Sequence, residues 1–508
     1  MADLDFLAVH AAAMPDKTAV VLGERSLTFE TLNRRANRVA NAFGGLGVNA
    51  EDRVAVMSYN SIETFELASG LRRAGVVIVP VNYRLRGSEI AYVVNDSGSK
   101  AVVAGSEHVA AVGEAVSELE SKPVLIAARM GAPQGWLAYE ELVDAASDHA
   151  PESAAGGGIG PSMIYTSGTT GHPKGAWRPN GVNLENVLQI ISIFGLNQSD
   201  VHLTCGPGYH SAVSFFTALH SLLGATVVLQ PKFDAGVALD LMARHHVTTT
   251  FMAPILLQRL VDEQERQARD LSSLRALLLG AAPCPHALKV RAASVLGQVL
   301  WEFYGATETG INTVLAPEDQ LRKPGSCGTA VPGQEIRLVG ADGGEVPTGQ
   351  PGELMVRNTW LAEYYKRPDA TVRSLHDGFF SVGDIAYRDE DGYFFICDRS
   401  IDMIISGGVN VYPAEVEAQL SAHPAVLDVA VIGVPDDAWG ESVKAIVQLR
   451  TGTTATEDEL IAFCASRLAG YKKPRSVDFV TELPRDAAGK LLKRKLRDRY
   501  WAGIGRRI

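Results

Sequence analysis

Residues 162–175 read SMIYTSGTTGHPKG, an apolar segment followed by a loop that mixes glycines, hydroxyl side chains and Lys174. Glycine lets the backbone approach a ligand closely, and hydroxyls and backbone N–H groups bind phosphate oxygens. The loop is not a Walker P-loop, because Pro173 stands where that motif has glycine. A buried strand that opens into a polyphosphate-binding loop is therefore predicted, with a flexible polar linker as the alternative.

The segments before this loop alternate between helical and strand patterns. Residues 32–46 carry apolar positions at helical spacing and end at a glycine, whereas residues 53–57 and 75–80 are short β-branched runs. Buried strands that alternate with helices are typical of parallel sheets covered on both faces. The pattern therefore predicts an α/β fold built on mainly parallel sheets.

The pattern changes in the last third of the chain. After about residue 325 the segments become short, and three Asp-Gly turns between residues 342 and 392 predict a small β-rich region with hairpins. From residue 402 a separate βαβ-like pattern runs onward. We therefore predict a large domain over residues 1–399 and a small, mobile α+β domain over residues 400–508.

Composition excludes several functional classes. The 508 residues are 46% hydrophobic and 21% charged, and the formal net charge of −11 argues against a general nucleic-acid binder. The first residues are acidic where a secretory signal needs Lys or Arg, and no apolar run reaches the ~18 residues that span a bilayer. The five cysteines form no CxxC pair, so neither a zinc site nor a disulfide framework is predicted. A cytoplasmic protein without a membrane span is expected.

Residues 165–175 resemble the phosphate-loop signature of the adenylate-forming superfamily, which includes acyl- and aryl-CoA synthetases, peptide synthetase adenylation domains and firefly luciferase. Further motifs resemble those of the family in the same order, so that the resemblance covers essentially residues 10–500. They are GPGYHS at 206–211, LLLGAAP at 277–283, YGATETG at 304–310, SVGD at 381–384 and PRDAAGK at 484–490. The GPGYHS and GAAPCP segments are most similar to those of bacterial fatty acyl-CoA synthetases.

The resemblance implies an AMP-forming acyl-CoA synthetase, which converts a carboxylic acid, ATP and coenzyme A into acyl-CoA, AMP and pyrophosphate through an acyl-adenylate. It implies Lys490, Glu308 and Thr307 as catalytic residues, and Mg²⁺ held by Glu308 and Thr169. Oxygen ligands of this kind suit Mg²⁺. The ATP-binding residues that it implies are Thr166, Ser167, Gly168, Thr169, Thr170, Gly171, Lys174, Gly280, Ala281, Ala282, Tyr304, Asp384 and Arg399.

The same resemblance assigns the acid and coenzyme A sites. The acyl-pocket residues are His210, Ser211, Gly305 and Ala306. The residues implied for coenzyme A are Gly407, Gly408, Trp439, Lys472, Lys473 and Arg475, although Trp439 also fits a packing role. Family members usually carry Lys or Asp at the position of Ile401, which is the expected hinge between two domain orientations, and Asp402 is the alternative pivot.

The identity of the acid stays open at this point. Small and apolar residues at 211–216 and 305–312 favour a fatty or other hydrophobic acid, with an aryl acid as the alternative. Loading of a carrier protein and luciferase-type oxygenation are alternatives within the family, and an inactive nucleotide-binding regulator is a more distant one. The expected partners are the acid, ATP and coenzyme A, without nucleic acid, and a homodimer is left open.

Overall fold

The computed structural model describes residues 5–151, 160–166, 173–399, 402–406, 409–436, 439–485 and 490–502, with side chains up to residue 397 in the third of these ranges. Its α-helices are α1 (Phe6–Ala13), α2 (Phe29–Gly45), α3 (Ile62–Arg73), α4 (Gly87–Ser97), α5 (Val109–Ala115), α6 (Tyr139–Asp144), α7 (Leu184–Phe194), α8 (Ser211–Leu222), α9 (Ala235–Arg244), α10 (Pro254–Arg266), α11 (His286–Leu296), α12 (Pro368–Ser374), α13 (Pro413–Ser421), α14 (Glu457–Ala465) and α15 (Lys493–Arg497).

The strands are β1 (Thr18–Leu22), β2 (Arg25–Thr28), β3 (Arg53–Met57), β4 (Val77–Pro80), β5 (Ala101–Gly105), β6 (Val124–Ala128), β7 (Leu137–Ala138), β8 (Ser162–Thr166), β9 (Lys174–Arg178), β10 (Val201–Thr204), β11 (Thr226–Leu229), β12 (Thr249–Met252), β13 (Ala276–Leu279), β14 (Leu300–Ala306), β15 (Gly310–Leu315), β16 (Thr329–Ala330), β17 (Glu335–Val339), β18 (Gly352–Arg357), β19 (Glu363–Tyr364), β20 (Leu375–His376), β21 (Phe379–Arg388), β22 (Phe394–Arg399), β23 (Ile404–Ser406), β24 (Val409–Val411), β25 (Val426–Asp436), β26 (Gly440–Leu449) and β27 (Ser476–Phe479).

Two large sheets form the core of the first 330 residues. One has nine strands in the order β16-β15-β14-β13-β12-β10-β11-β1-β2, parallel from β14 to β1 and antiparallel at both edges. The other has five parallel strands in the order β4-β3-β5-β6-β7. All four residues of β13 are buried, as expected for a parallel strand that is covered on both faces. The predicted α/β fold is confirmed.

Helix α2 illustrates how the sequence specifies these layers. The Thr28 hydroxyl caps the helix by accepting a hydrogen bond from the Thr31 N–H at 3.2 Å. Leu32, Val39 and Phe43 recur at helical spacing and are fully buried, so one face of the helix packs onto the core. The predicted helix over residues 32–46 is thus present, and it begins three residues earlier because Thr28 supplies the cap.

Three further sheets, of three, five and five strands, complete the described part of the chain. Strands β19, β9 and β8 form an antiparallel sheet, in which Thr166 pairs with Lys174 at the two ends of the phosphate loop. Strands β17, β18, β20, β21 and β22 form the expected β-rich region. In the last sheet, β24-β23-β26-β25, strand β27 pairs parallel to β26 after helix α14, which is the βαβ unit that the sequence predicted. The domain boundary near residue 400 stays a prediction.

The helices of the described ranges are amphipathic or short. None of them combines the length and the apolarity that crossing a bilayer would require.

Candidate active site

A single cleft of about 2610 Å³ collects most of the residues that the sequence singled out. The predicted site residues that line it are Thr166, Lys174, His210, Ser211, Ala281, Ala282, Tyr304, Gly305, Ala306, Thr307, Glu308, Asp384, Asp402, Lys472 and Lys490. They come from segments up to 324 residues apart in sequence, counted from Thr166 to Lys490. The fold therefore brings together groups that the sequence keeps far apart.

Other predicted residues lie outside the described ranges. These are Ser167, Gly168, Thr169, Thr170, Gly171, Ile401, Gly407, Gly408 and the side chain of Arg399. Their assigned roles stay predictions.

The Glu308 carboxylate lies at the base of the phosphate loop and is only 8% exposed. Its Oε1 atom accepts hydrogen bonds from the Thr166 hydroxyl and from the Tyr364 hydroxyl, each at 3.1 Å. The Lys174 ammonium lies 4.8 Å from the centroid of the Tyr364 ring. One buried carboxylate and one cation therefore face each other across the loop ends, an arrangement suited to a phosphate-bound divalent cation.

Arg178, which the sequence did not indicate, ties two walls of the cleft together. Its guanidinium donates to the carbonyl oxygen of Thr307 and to that of Trp360, the latter at 2.6 Å. Burial lowers the pKa of Arg178 to about 10, against the opposing effect of Glu308. The group is therefore still charged at neutral pH. The hydroxyl oxygen of Thr307 lies 3.1 Å from that of Ser211 at the start of α8, within hydrogen-bond distance.

Tyr304 and Asp384, which are predicted to bind the nucleoside, are bonded to each other at one wall of the cleft. The Tyr304 hydroxyl donates to Asp384 Oδ2 at 2.6 Å, and the aspartate is buried. Asp384 is paired with Arg399 across strands β21 and β22, as expected from the hairpin between them. A carboxylate in this position is able to accept hydrogen bonds from vicinal hydroxyls.

The turn of small residues after β13, residues 280–282, lines the cleft only in part. Ala281 has φ of 72° and lines the cleft together with Ala282. Gly280 does not line the cleft, because it packs against Phe303. A Cβ atom at this position would lie 2.9 Å from the Phe303 Cζ atom. The need for glycine at 280 is thus a matter of packing.

Asn60 forms hydrogen bonds with the loop that carries His210, a role that no sequence pattern indicated. Its amide nitrogen donates to the carbonyl oxygens of Gly206 and Gln230 at 2.8 and 2.9 Å, and its oxygen accepts from the Gly208 N–H at 3.0 Å. A Cβ atom at residue 208 would lie 2.7 Å from Asn60 Oδ1, so only glycine permits this approach. The loop thereby places His210 at the N-cap of α8.

The residues predicted for the acyl pocket line the cleft beside α8. Gly305 lies against Gly310, since a Cβ on Gly305 would come within 2.0 Å of the Gly310 carbonyl oxygen. Gly310 in turn lies against the indole of Trp360. The two glycines therefore let Trp360 come close to the turn that bears Ala306.

Two of the predicted basic site residues, Lys472 and Lys490, come from the C-terminal part of the chain and line the cleft. Lys490 reaches the cleft, and Lys472 pairs with Glu415 at 2.7 Å. Asp402 accepts from Arg497 at 2.9 Å, so the alternative pivot is bonded within the C-terminal part.

Trp439, Lys473 and Arg475, which are also implied for coenzyme A, lie outside the walls of the cleft. Trp439 is 46% exposed, and the Arg475 guanidinium lies 4.7 Å from its ring. Lys473 is half-buried.

Comparison with known proteins agrees with this geometry. The family described as AMP-binding enzyme matches residues 7–366, and the AMP-binding enzyme C-terminal domain matches residues 415–490. The chain is 38% identical over 494 residues to a feruloyl-CoA synthase from Amycolatopsis sp, with 97% of each chain covered. It is 37% identical to the long-chain-fatty-acid–CoA ligase FadD13 from Mycobacterium tuberculosis, with 94% of each covered. The crystal structure of ATP-bound MatB from Rhodopseudomonas palustris is similar with a TM-score of 0.86 and 30% identity, covering 98% of this chain and all of that one.

Proposed function

Because the chain belongs to the AMP-binding enzyme family and is an AMP-forming acid–CoA ligase, we propose that its acid substrate is a hydrophobic carboxylic acid with a fatty or aryl tail. ATP and coenzyme A are the co-substrates. Two relatives are named for a feruloyl group and for long-chain fatty acids, and these names support the hydrophobic class.

The observation that carries this proposal is the aromatic wall along α8. The ring centroids of Phe215 and Trp360 lie 5.6 Å apart, and the centroid of Phe216 lies 5.7 Å from those of Phe251 and Phe303. All five rings line the cleft. Moving a CH₂ group from water into such surroundings stabilises binding by about 0.8 kcal/mol. Phe215 is the partly exposed ring of this wall and the other four rings are buried, so an apolar tail would meet the wall at Phe215.

The proposed reaction begins with attack of the acid carboxylate on the α-phosphorus of ATP. The bond from this phosphorus to the bridging oxygen breaks, and pyrophosphate leaves. Negative charge grows on the α-phosphate oxygens, where the Thr307 hydroxyl and the Lys490 ammonium stabilise it. The thiolate sulfur of coenzyme A then attacks the acyl carbonyl carbon, and AMP leaves with the electron pair of the broken bond.

Magnesium accompanies ATP in this proposal, with Glu308 and Thr169 as the residues that would hold it. The buried carboxylate fits this role, because Mg²⁺ takes one or two carboxylates and completes its shell with phosphate and water. Within the described ranges no cluster of three His, Cys, Asp or Glu side chains offers another site. When bound, the ion offsets negative charge on phosphate oxygens.

The two half-reactions need different groups near the acyl carbon. We infer that the domain over residues 400–508 turns about Ile401 or Asp402 between them. This turn withdraws Lys490 and presents the loop of Gly407 and Gly408 to the pantetheine arm. The position of Lys490 at the cleft supports the adenylating orientation.

Pyrophosphate release with a panel of acids tests the proposed substrate class. The panel holds straight-chain acids from C2 to C16, phenyl-substituted acids and amino acids. We expect kcat/KM to rise up to about fourfold for each added CH₂ until the pocket is filled. Best activity on acetate or on amino acids would refute the hydrophobic class.

A pair of variants tests whether the preference for apolar acids depends on Phe215 in the aromatic wall. Phe215→Ala should lower kcat/KM for the best acid and leave that for acetate unchanged. Val237→Ala, on the exposed surface of α9, serves as the matched control. Equal losses for the best acid and for acetate would show that Phe215 does not contact the tail.

A further inference from the structure

Trp360 carries a hydrogen-bond donor that its surroundings do not use. The side chain is 4% exposed, and no acceptor for its indole N–H lies among the residues that the structure describes. A buried donor without an acceptor destabilises a protein, and buried tryptophans usually find a partner for the N–H. The group is therefore a candidate to meet a ligand.

The indole is held firmly at the acid side of the cleft. One side of it lies against Gly310, where a Cβ atom would come within 2.4 Å of the Trp360 Cε3 atom. Its backbone N–H donates to the Asn358 side-chain oxygen at 2.7 Å, and its carbonyl oxygen accepts from Arg178. Since Arg178 also donates to the carbonyl of Thr307, the backbone of Trp360 is tied to the turn that carries Thr307.

Other hydroxyls on this wall are already committed. The Ser214 hydroxyl lies within 3.1 Å of the carbonyl oxygens of His210 and Ser211, one turn earlier on its own helix. The Thr217 hydroxyl likewise donates to the carbonyl oxygen of Val213 at 2.7 Å. These two hydroxyls bond the backbone of their own helix, whereas the indole N–H has no acceptor among the described residues.

We propose that the Trp360 N–H donates a hydrogen bond to an oxygen on the tail of the acid, so that the enzyme selects hydrophobic acids that carry an ether, hydroxyl or keto oxygen. The inference rests on the hydrophobic substrate class proposed above. The indole is buried, and the centroid of the Phe215 ring lies 5.6 Å from its own. The proposal therefore requires the partly exposed Phe215 side chain to move aside when the acid binds. A tail without oxygen leaves the donor unsatisfied, which is the kind of defect that discriminates strongly between substrates.

Pairs of acids that match in size and differ in one oxygen test this inference. For aryl acids the pairs are methoxy- and ethyl-substituted cinnamic acids at each ring position. For straight-chain acids they are dodecanoic acid and its analogues in which one CH₂ is replaced by an ether oxygen. Methoxy and ether oxygens accept hydrogen bonds and donate none, so they isolate the acceptor. The measurement is kcat/KM for pyrophosphate release.

The native enzyme should favour the oxygen-bearing acid about tenfold or more at one tail position, which corresponds to ~1.4 kcal/mol. Trp360→Phe keeps an aromatic ring without the donor, and it should reduce this preference to about one because kcat/KM falls more for the oxygen-bearing acid than for the oxygen-free one. Trp301→Phe is the matched control, because Trp301 packs against Phe194 and does not line the cleft. Thermal melting reports whether each variant folds.

Three results would overturn the inference: no tail position shows a preference in the native enzyme, Trp360→Phe retains the preference, or it lowers both acids of a pair equally. The first result needs no variant, so a poorly folded Trp360→Phe protein leaves the inference testable. If neither class of tail supports pyrophosphate release and small or amino acids do, the proposed substrate class has failed. If both acids of a pair react alike, the class stands and only the role of Trp360 is wrong.

Discussion

Replacing Lys289 with methionine should reduce the free energy of unfolding by about 3–5 kcal/mol. Lys289 on α11 is 1% exposed, and its ammonium pairs with the Glu302 carboxylate on β14, whose side chain is 9% exposed. Methionine fills a similar volume but leaves Glu302 as a buried carboxylate without its cation. Breaking a buried pair in this way is far more costly than breaking a surface pair, which is worth at most about 1 kcal/mol.

The size of the effect should depend on pH in a defined direction. Burial raises the pKa of Glu302, and Lys289 opposes this rise. Removing Lys289 should therefore raise the pKa of Glu302 further above its unfolded value of about 4.3. A group with a raised pKa contributes its full stability below the unfolded value and loses it as pH rises through the folded value. The defect of the variant should accordingly grow from pH 5 to pH 8.

Urea unfolding at pH 5, 6.5 and 8, followed by tryptophan fluorescence, measures this prediction. Only transitions whose dependence on urea is unchanged are compared, since a changed slope signals a different unfolding process. The matched control is Lys122→Met, because Lys122 is exposed. The double variant Lys289→Met/Glu302→Leu removes both charges and should recover most of the loss. A loss below about 1 kcal/mol at pH 8, or a double variant as unstable as the single one, would refute the reasoning.

Two further predictions concern the reaction itself. Lys490→Ala should slow adenylation at least ~100-fold, because it removes a charge that stabilises the α-phosphate oxygens, and should largely spare thioester formation from pre-formed acyl-adenylate. Equal losses in both half-reactions, measured by pyrophosphate release and by acyl-CoA formation, would contradict the role given to Lys490. Asn60→Ala should raise the KM for the acid several-fold more than the KM for ATP, because it releases the loop that carries His210. Equal rises in both KM values, or an unchanged KM for the acid, would show that the hydrogen bonds of Asn60 do not support the acid site.

The sequence predicted the parts of the site that are local. The strand that ends at Thr166 follows from the apolar run before the glycine-rich segment, whereas its antiparallel partner β9 was not predicted. The pairing of Asp384 with Arg399 follows from an Asp-Gly turn between two β-rich segments. In each case the partners are close in the chain, so that turn chemistry and strand alternation determine the geometry.

The contacts that the sequence did not indicate are long-range hydrogen bonds made by polar side chains, either to other side chains or to the backbone. The Tyr364 hydroxyl reaches Glu308 from 56 residues away, and Asn60 reaches Gly206 from 146 residues away. Asn60 binds backbone groups, which every residue type offers, so the residue types around Gly206 contain no matching signal. Neither helical nor strand periodicity marks a residue of this kind.

Arg178 shows why such contacts matter for catalysis. Adenylation requires the acid carboxylate and the α-phosphorus to lie within about 3–3.5 Å in a defined orientation, and a displacement of 1 Å can slow such a step about 100-fold. The carbonyls of Thr307 and Trp360 belong to the walls that we propose for the phosphate and for the acid, and one buried guanidinium bonds both. Since burial lowers the pKa of Arg178 only to about 10, the group keeps its charge at neutral pH. If the proposed walls are right, Arg178 helps to fix the spacing of the two reactants without touching either of them.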